Sequence, residues 1–175
     1  MHATTILFSL MAVAVSAKSL KYTVPSSLKA AAASNCTMPA EYMIHNFTTY
    51  TDKADSTKNT TSFHFVDPGT NISSHCLSDS SSKPTGAASN RWPCENPNVE
   101  FIYQTTGIVG LTIIEIACPG SKPQFEASDL VDIKLECQDS DSETTCVQTE
   151  KSVDGEFDSL QPTPQSPPSR RRRTH

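Results

Sequence analysis

Residues 74–104 read SHCLSDSSSKPTGAASNRWPCENPNVEFIYQ, and this stretch decides how the chain is interpreted. Between Cys76 and Cys94 lies a run of Ser, Gly, Pro and Ala that offers little to a packed core. Immediately after it, the run NVEFIY places Val99, Phe101 and Tyr103 on one face of an extended strand. The sequence therefore predicts a loop between Cys76 and Cys94, called the soft excursion below, that connects two strands of one β domain.

Strand patterns also precede this stretch. Residues 41–51 (EYMIHNFTTYT) are rich in aromatic and β-branched residues, which favour a pleated sheet. Phe63 and Phe65 alternate with polar residues over 62–67, and NISSHCL at 71–77 predicts a short strand that leads into the excursion. The polar segment between the first two strands predicts a surface loop.

Three more strands are predicted after it. Residues 107–118 (GIVGLTIIEIAC) are apolar on both faces, which favours a covered strand joined to its predecessor by a hairpin at Gln104 to Gly107. Residues 127–137 (ASDLVDIKLEC) alternate most sharply and predict one strand, and a short last strand is predicted at 144–148. Within 127–137 the alternation places Val131, Ile133, Leu135 and Cys137 inward, and Asp132, Lys134 and Glu136 outward.

The fold class follows from these patterns. No segment has a convincing apolar period of 3.6 residues, so the domain is predicted to be all-β, a single antiparallel β-barrel or sandwich stapled by disulfides. A disordered N-terminal leader and a disordered C-terminal tail are expected to flank it. The predicted parts are a signal peptide at 1–17, a flexible leader at 18–34, the β domain at 35–150 and a Pro/Arg-rich tail at 151–175.

The N-terminal segment and the sequons predict the compartment. The apolar run from Ile6 to Val15 is too short to span a bilayer, and small residues precede Lys18, as in a cleaved signal peptide. We therefore expect a secreted, extracellular protein that has no membrane segment after signal removal. Glycosylation sequons agree with this expectation, with Asn59 and Asn71 favoured; the candidates are Asn35, Asn46, Asn59 and Asn71.

The chain has 6 cysteines. An even set in a small secreted protein predicts a disulfide framework, and the absence of CxxC or HxxxH pairs argues against a metal site. The cysteines expected to form bridges are Cys36, Cys76, Cys94, Cys118, Cys137 and Cys146.

The charge pattern argues against a nucleic-acid partner. The formal net charge is −5, and the region 126–158 is strongly acidic, whereas phosphate contacts need a basic surface. The run Arg170–Arg173 belongs to the tail. Solvated charge is the favoured interpretation of that run, with nuclear import, processing and contact with an anionic surface as alternatives.

The motifs of several enzyme classes are missing from the sequence. It contains no GxSxG, HExxH, P-loop or dinucleotide fingerprint, and we predict no enzymatic activity and no cofactor. His45, His64 and His75 are interpreted as polar residues on strand surfaces. The run DSDSE at 139–143 lacks the Gly and the terminal Glu of a calcium loop and predicts a polar hairpin tip.

The order of these features resembles the Alternaria major allergen (Alt a 1-like) family of small secreted fungal β-barrel proteins. The resemblance covers about residues 36–149 and rests on YMIHNFTTYT, SFHFVD, Cys76, RWPC at 91–94, VEFIY, LTIIEIAC, LVDIKLEC and a nearby last cysteine. It implies the bridges Cys76–Cys94 and Cys137–Cys146, and it leaves Cys36 and Cys118 to pair with each other. Because the founding member links two subunits through its N-terminal cysteine, a dimer through Cys36 stays open, although Cys118 favours a monomer.

The resemblance also implies association with the fungal wall and contact with host tissue. We therefore expect a secreted, non-enzymatic effector or allergen-like factor that contacts a host or cell-wall protein through residues 78–92 and the strand face at Asp132–Glu136. A small-molecule carrier of flavonoid-type ligands is the alternative, and a hydrolase with an unrecognised site ranks below it. The candidate lining of a carrier is Phe63, Phe65, Phe101 and Tyr103.

Overall fold

The computed structural model describes residues 19–32, 36–85 and 90–163. The predicted signal peptide, the sequon at Asn35 and the run Arg170–Arg173 lie outside the described residues. In chain order the elements are α1 (Ser26–Ala32), β1 (Glu41–Asp52), a 3-10 turn (Ser56–Lys58), β2 (Thr60–Asp67), β3 (Ile72–Ser78), β4 (Trp92–Pro93), β5 (Val99–Gln104), β6 (Gly110–Ala117), β7 (Phe125–Val131), β8 (Leu135–Asp139), β9 (Glu143–Gln148), β10 (Val153–Glu156) and β11 (Ser159–Pro162).

The strands form two antiparallel sheets, which confirms the predicted all-β class. The first sheet has the order β3-β2-β1-β9-β8, and β10 also pairs with β1. The second has the order β11-β7-β6-β5-β4. Neighbours along each sheet are mostly hairpin partners, as is common where short turns join antiparallel strands.

Strand β1 holds the first sheet together because it pairs with three strands. β2 lies along one side of it, while β10 pairs with residues 41–44 and β9 with residues 48–52 on the other. A bulge between His45 and Thr48, with Asn46 at φ 55°, separates these two pairings. One long strand thereby holds two partners that approach from different parts of the chain.

Alternating side chains from both sheets fill the space between them. Phe63 and Phe65 point inward from β2, and Phe101, Leu111 and Ile113 point inward from the second sheet, all nearly or fully buried. The rings of Phe63 and Phe101 pack edge to face with centroids 5.0 Å apart. A smaller cluster joins Leu28 of α1 to Phe125 and Cys118.

The predicted strand over 127–137 is wrong in one respect, because it is two strands in different sheets. β7 belongs to the second sheet, and β8 pairs with β9 in the first. Asp132 to Lys134 form the crossing, and Ile133 is buried there. Cys137, predicted to point inward, is exposed because it lies in an edge hairpin.

The predicted boundaries of the leader and the tail are also corrected. Residues after 150 form β10 and β11, because Val153, Gly155 and Phe157 alternate with exposed residues and bury one face against the core. In the predicted leader, Leu28 is 1% exposed and Tyr22 packs on the main core. The apolar side chains of these segments are few but well spaced, so composition alone obscured them.

Three disulfides join the cysteines as the resemblance implies. They are Cys36–Cys118, Cys76–Cys94 and Cys137–Cys146. The second bridge connects β3 of the first sheet to Cys94, which directly follows β4 of the second sheet, and so closes the soft excursion. No helix among the described residues is long and apolar enough to cross a bilayer.

Candidate binding cleft

A cleft of about 540 Å³ opens where the start of β1 meets β7 and β10. Carboxylate side chains and a few apolar side chains line it together. The lining residues are Lys21, Glu41, Tyr42, Met43, Pro68, Asp129, Val131, Asp154, Gly155 and Glu156.

Tyr42 is the structural centre of this cleft. Its ring is buried between Phe65 and Phe157, at centroid distances of 5.6 Å and 4.9 Å, and its hydroxyl donates to Asp129 Oδ2 at 2.7 Å. Burial, followed by the bond to Asp129, raises the pKa of Tyr42 well above its usual value, so the hydroxyl stays protonated. This bond links β1 of the first sheet to β7 of the second.

Gly155 makes room for that ring. A Cβ added at this position would lie 2.2 Å from Tyr42 Cζ, far inside van der Waals contact. Because Gly155 is paired with Tyr42 across the β1–β10 ladder, any larger residue would push the ring out of the core. Only glycine at position 155 leaves enough space for the Tyr42 ring in the core.

The cleft carries an excess of negative charge. Glu41, Asp129, Asp154 and Glu156 contribute carboxylates, and Lys21 is the cation among the lining residues. Lys21 forms an ion pair with Glu156, which raises the pKa of the lysine. A ligand that suits this cleft therefore brings positive charge and a short apolar stem.

The soft excursion, a predicted contact surface, lies outside this cleft. Arg91 anchors its end through a bidentate pair with Glu126, at 2.9 Å and 2.8 Å, and approaches Glu100 at 3.6 Å. At its beginning, Asp79 accepts hydrogen bonds from the backbone of Ser81 and Ser82. Residues 86–89 are outside the described part, and Trp92 is half-buried in a pair with Phe101.

The second predicted contact surface is the chain's crossing between the sheets. Asp132, Lys134 and Glu136 are exposed, as predicted. Lys134 pairs with Glu150 at 2.9 Å. Val131, next to this segment, reaches the cleft, whereas the segment itself does not line it.

The aromatic residues considered for a carrier cavity are core residues. Phe63, Phe65 and Phe101 are almost completely buried in contact with other rings, and Tyr103 packs on Phe47 at 5.0 Å. These four side chains pack between the sheets as part of the core. The suggestion that they line a ligand cavity is therefore wrong.

The three histidines lie on the outer face of the first sheet, as predicted. Ser62 Oγ is 3.0 Å from His75 Nε2, and Glu95 Oε1 is 3.7 Å from His75 Nδ1, which brings together the residue types of a hydrolase triad. The Glu95 side chain is 75% exposed and too far for a hydrogen bond, so it does not orient the imidazole. Within the described residues, no group of three or more His, Cys, Asp or Glu is arranged to hold a metal.

The described sequon asparagines are all exposed. Asn46 occupies the β1 bulge, and Asn71 lies in the β2–β3 turn at φ 59°. Asn59 follows the 3-10 turn, and its side-chain oxygen accepts from the backbone of Asp52 at 2.9 Å. Attachment of a glycan at these sites remains a prediction.

Sequence reasoning missed the main residues of the cleft. Tyr42 and Asp129 are 87 positions apart and meet only through the packing of two sheets. The signal that could have been used is the alternation of Val153, Gly155 and Phe157, which extends the β pattern into the assigned tail.

Comparison with known proteins gives likenesses of structure. No family model matches the sequence, and no curated protein matches it. The chain is similar to a crystal structure of the Alternaria alternata major allergen Alt a 1, with 14% identity, a TM-score of 0.46, and coverage of 72% of this chain and 96% of that chain. A second crystal structure of the Alternaria alternata allergen Alt a 1 gives 14% identity, a TM-score of 0.47, and coverage of 73% and 92%.

Proposed function

We propose that this chain is a secreted, non-enzymatic fungal binding protein whose acidic cleft takes a basic segment of a host or cell-wall protein. The observation that carries the proposal is the concentration of Glu41, Asp129, Asp154 and Glu156 around one preorganised tyrosine. Lysine and arginine side chains match this cleft because each carries a cation on an apolar stem.

The net charge of the described residues supports the same kind of partner. The net charge of −5 includes Arg170–Arg173, which lie outside the described residues, so the described residues together carry more negative charge than the whole chain. A negative surface attracts basic partners and speeds their association. Lys21 forms an ion pair with Glu156, and the partner's cation would displace it from this carboxylate.

The rigidity of the cleft supports binding. Tyr42 is fixed by two aromatic neighbours and by Asp129, and Gly155 belongs to a paired strand. A preorganised surface loses less conformational entropy when a partner docks than a mobile loop does.

The test uses a labelled oligo-arginine peptide and fluorescence anisotropy at about physiological ionic strength. The double variant Asp154→Asn/Glu156→Gln should weaken binding by about tenfold, because it removes two cleft carboxylates. The matched control Glu95→Gln/Asp141→Asn removes the same charge from exposed positions outside the cleft and should leave affinity nearly unchanged.

Two further comparisons sharpen the result. A chain that ends at Thr163 lacks Arg170–Arg173 and should bind at least as tightly, since its own basic run cannot compete. Equal weakening in the cleft variant and the matched control would mean diffuse attraction to an acidic protein and would rule out the cleft as the binding site.

A further inference from the structure

A polar pocket of about 350 Å³ lies at the end of the β domain opposite the acidic cleft. The first residues of β2 line this pocket, whereas Pro68, directly after the end of β2, lines the acidic cleft. Strand β2 has 8 residues, so at about 3.3 Å per residue the two places are roughly 25 Å apart. The polar pocket is therefore a separate site from the cleft.

Hydroxyl groups dominate the lining of the polar pocket. Seven serine and threonine residues of the 3-10 turn, β2 and the start of the soft excursion line it, together with Asn59, Asp79 and Trp92. A hydroxyl both donates and accepts hydrogen bonds, and an amide offers one group of each kind. Among the described residues that line the pocket, Asp79 is the one ionisable side chain. The pocket therefore suits a neutral ligand that carries several hydroxyl groups.

One wall of the pocket is the turn at the start of the soft excursion. Asp79 Oδ1 accepts from the backbone of Ser81 at 2.8 Å and of Ser82 at 3.0 Å, and from their hydroxyls at 2.7 Å and 3.0 Å. The backbone of Asp79 in turn donates to Ser82 Oγ at 3.0 Å. These side-chain bonds all end on Oδ1, so Oδ2 keeps its capacity to accept a strong hydrogen bond from a ligand hydroxyl.

The opposite wall is the 3-10 turn between β1 and β2. Asp55 Oδ1 accepts from the backbone of Thr57 at 3.1 Å and from its hydroxyl at 2.6 Å. Asn59 Oδ1 accepts from the backbone of Asp52 at 2.9 Å, so the amide nitrogen of Asn59 points away from Asp52. Both walls are thus held by hydrogen bonds of their own, and a ligand loses little affinity to the ordering of the site.

Trp92 supplies the apolar surface of the pocket. It is opposite Phe101 in the β4–β5 ladder and packs on the main core, which holds the indole in place. A pyranose ring presents C–H groups on its faces and hydroxyls around its edge, so an aromatic side chain can pack on a face while polar groups bind the edge. A flat aromatic ligand would need apolar contact on both faces, and this lining offers a single indole.

We propose that the polar pocket binds a neutral pyranose sugar, with a C–H face on Trp92 and hydroxyls on Asp79, Asn59 and the surrounding serines and threonines. Ligand pockets span about 300–1,000 Å³, so this volume suits a mono- or disaccharide. Two sources can supply this chemistry. One is a separate glycan, and the other is the chain's own glycan, since Asn59 begins the sequon Asn59–Thr61 at the edge of the pocket.

The experiment uses the fluorescence of Trp92, the only tryptophan in the chain, as a direct report on the pocket. The oxidised full chain, produced without glycosylation, is titrated with glucose, mannose and N-acetylglucosamine. At least one of these sugars should change the fluorescence saturably, with a dissociation constant of about 1 mM, and should protect Trp92 from quenching by acrylamide. Sorbitol, which carries hydroxyls but no ring, should produce neither effect.

A double variant tests the lining. Thr60→Val/Ser80→Ala removes two pocket hydroxyls, keeps a β-branched residue in β2 and leaves the sequon intact, and it should weaken sugar binding by about tenfold. The matched control Thr112→Val/Ser128→Ala removes the same two groups from half-buried positions of the second sheet and should keep the affinity.

Protein from a glycosylating host separates the two sources. If the glycan of Asn59 occupies the pocket, added sugar should cause no change in that protein, and Asn59→Gln should restore the response. A full response in that protein would identify a separate glycan as the ligand. The sugar site would be overturned by the absence of a saturable change in the unglycosylated chain, by an equal change with sorbitol, or by equal weakening in the pocket variant and its control.

Discussion

The acidic cleft and the Asp67–Glu115 pair use the same chemical group in opposite surroundings. In the cleft, carboxylates are near solvent, a tyrosine hydroxyl donates to Asp129, and Lys21 pairs with Glu156. In the buried pair, Asp67 of β2 and Glu115 of β6 are completely buried within hydrogen-bonding reach of each other, and neither forms an ion pair with a described residue. The position of a carboxylate in the fold therefore decides whether it can bind a partner at the surface or carries the energetic cost of burial.

This difference affects how the two regions respond to pH. For the buried pair, removal from water dominates and raises both pKa values. In the cleft, the bond to Glu156 raises the pKa of Lys21, whereas burial, followed by the bond to Asp129, raises the pKa of Tyr42. The following tests separate these two behaviours.

The largest effect is expected for Glu115→Gln. The pKa of Glu115 rises from 4.5 to about 8 on folding, so the native state holds a proton that the unfolded state releases. The free energy of unfolding should therefore fall as pH rises from about 5 to about 8, by about 1.4 kcal/mol per pH unit and about 4 kcal/mol in all. The variant should lose this slope in urea titrations.

Asp154→Asn is the control for the pH experiment, because it removes a carboxylate from the cleft. It should keep the slope of the natural sequence. A slope of the same size in Glu115→Gln would show that other groups cause the pH dependence.

Gly155→Ala should have the next largest effect. The new Cβ would meet Tyr42 Cζ at 2.2 Å and Oη at 2.4 Å, so the ring must move out of its site. We expect a loss of about 3 kcal/mol in the free energy of unfolding, measured with urea. In a Tyr42→Ala background the clash is absent and the same change should cost far less; equal costs in both backgrounds would contradict the steric explanation.

Tyr42→Phe should have the smallest of the three effects. It removes the hydrogen bond to Asp129 and keeps the ring, so we expect a loss of about 1 kcal/mol in urea unfolding. A double-mutant cycle with Asp129→Ala isolates the bond, and the two losses should add to more than the loss of the double variant. Strict additivity would show that the bond contributes nothing to stability.

The strand pattern could be predicted wherever one face of a strand meets the core. Phe63 and Phe65 are buried, as their alternation with polar residues indicates, because alternation reports burial directly. Alternation did not predict that residues 127–137 form two strands. The odd-numbered residues face the core in both sheets, so the pattern continues without a break through the crossing at Ile133. Composition hid β10 and β11, because proline-rich sequence follows immediately.

The candidate sites were harder to predict than the strands. The cleft depends on β1, β7 and β10, which meet through pairings between distant parts of the chain. Glu115 offered a clearer signal, since it shares the parity of Leu111 and Ile113 and a carboxylate in that row must point inward.

The Cys36–Cys118 bridge imposes an order of events on biosynthesis. Its cysteines are 82 positions apart, whereas those of Cys137–Cys146 are separated by 9. At about 5–20 residues per second, Cys36 waits roughly 4–16 s for its partner to be synthesised. During that time Cys76 and Cys94 are both made, so the two cysteines of the inner bridge are available before the partner of Cys36 exists.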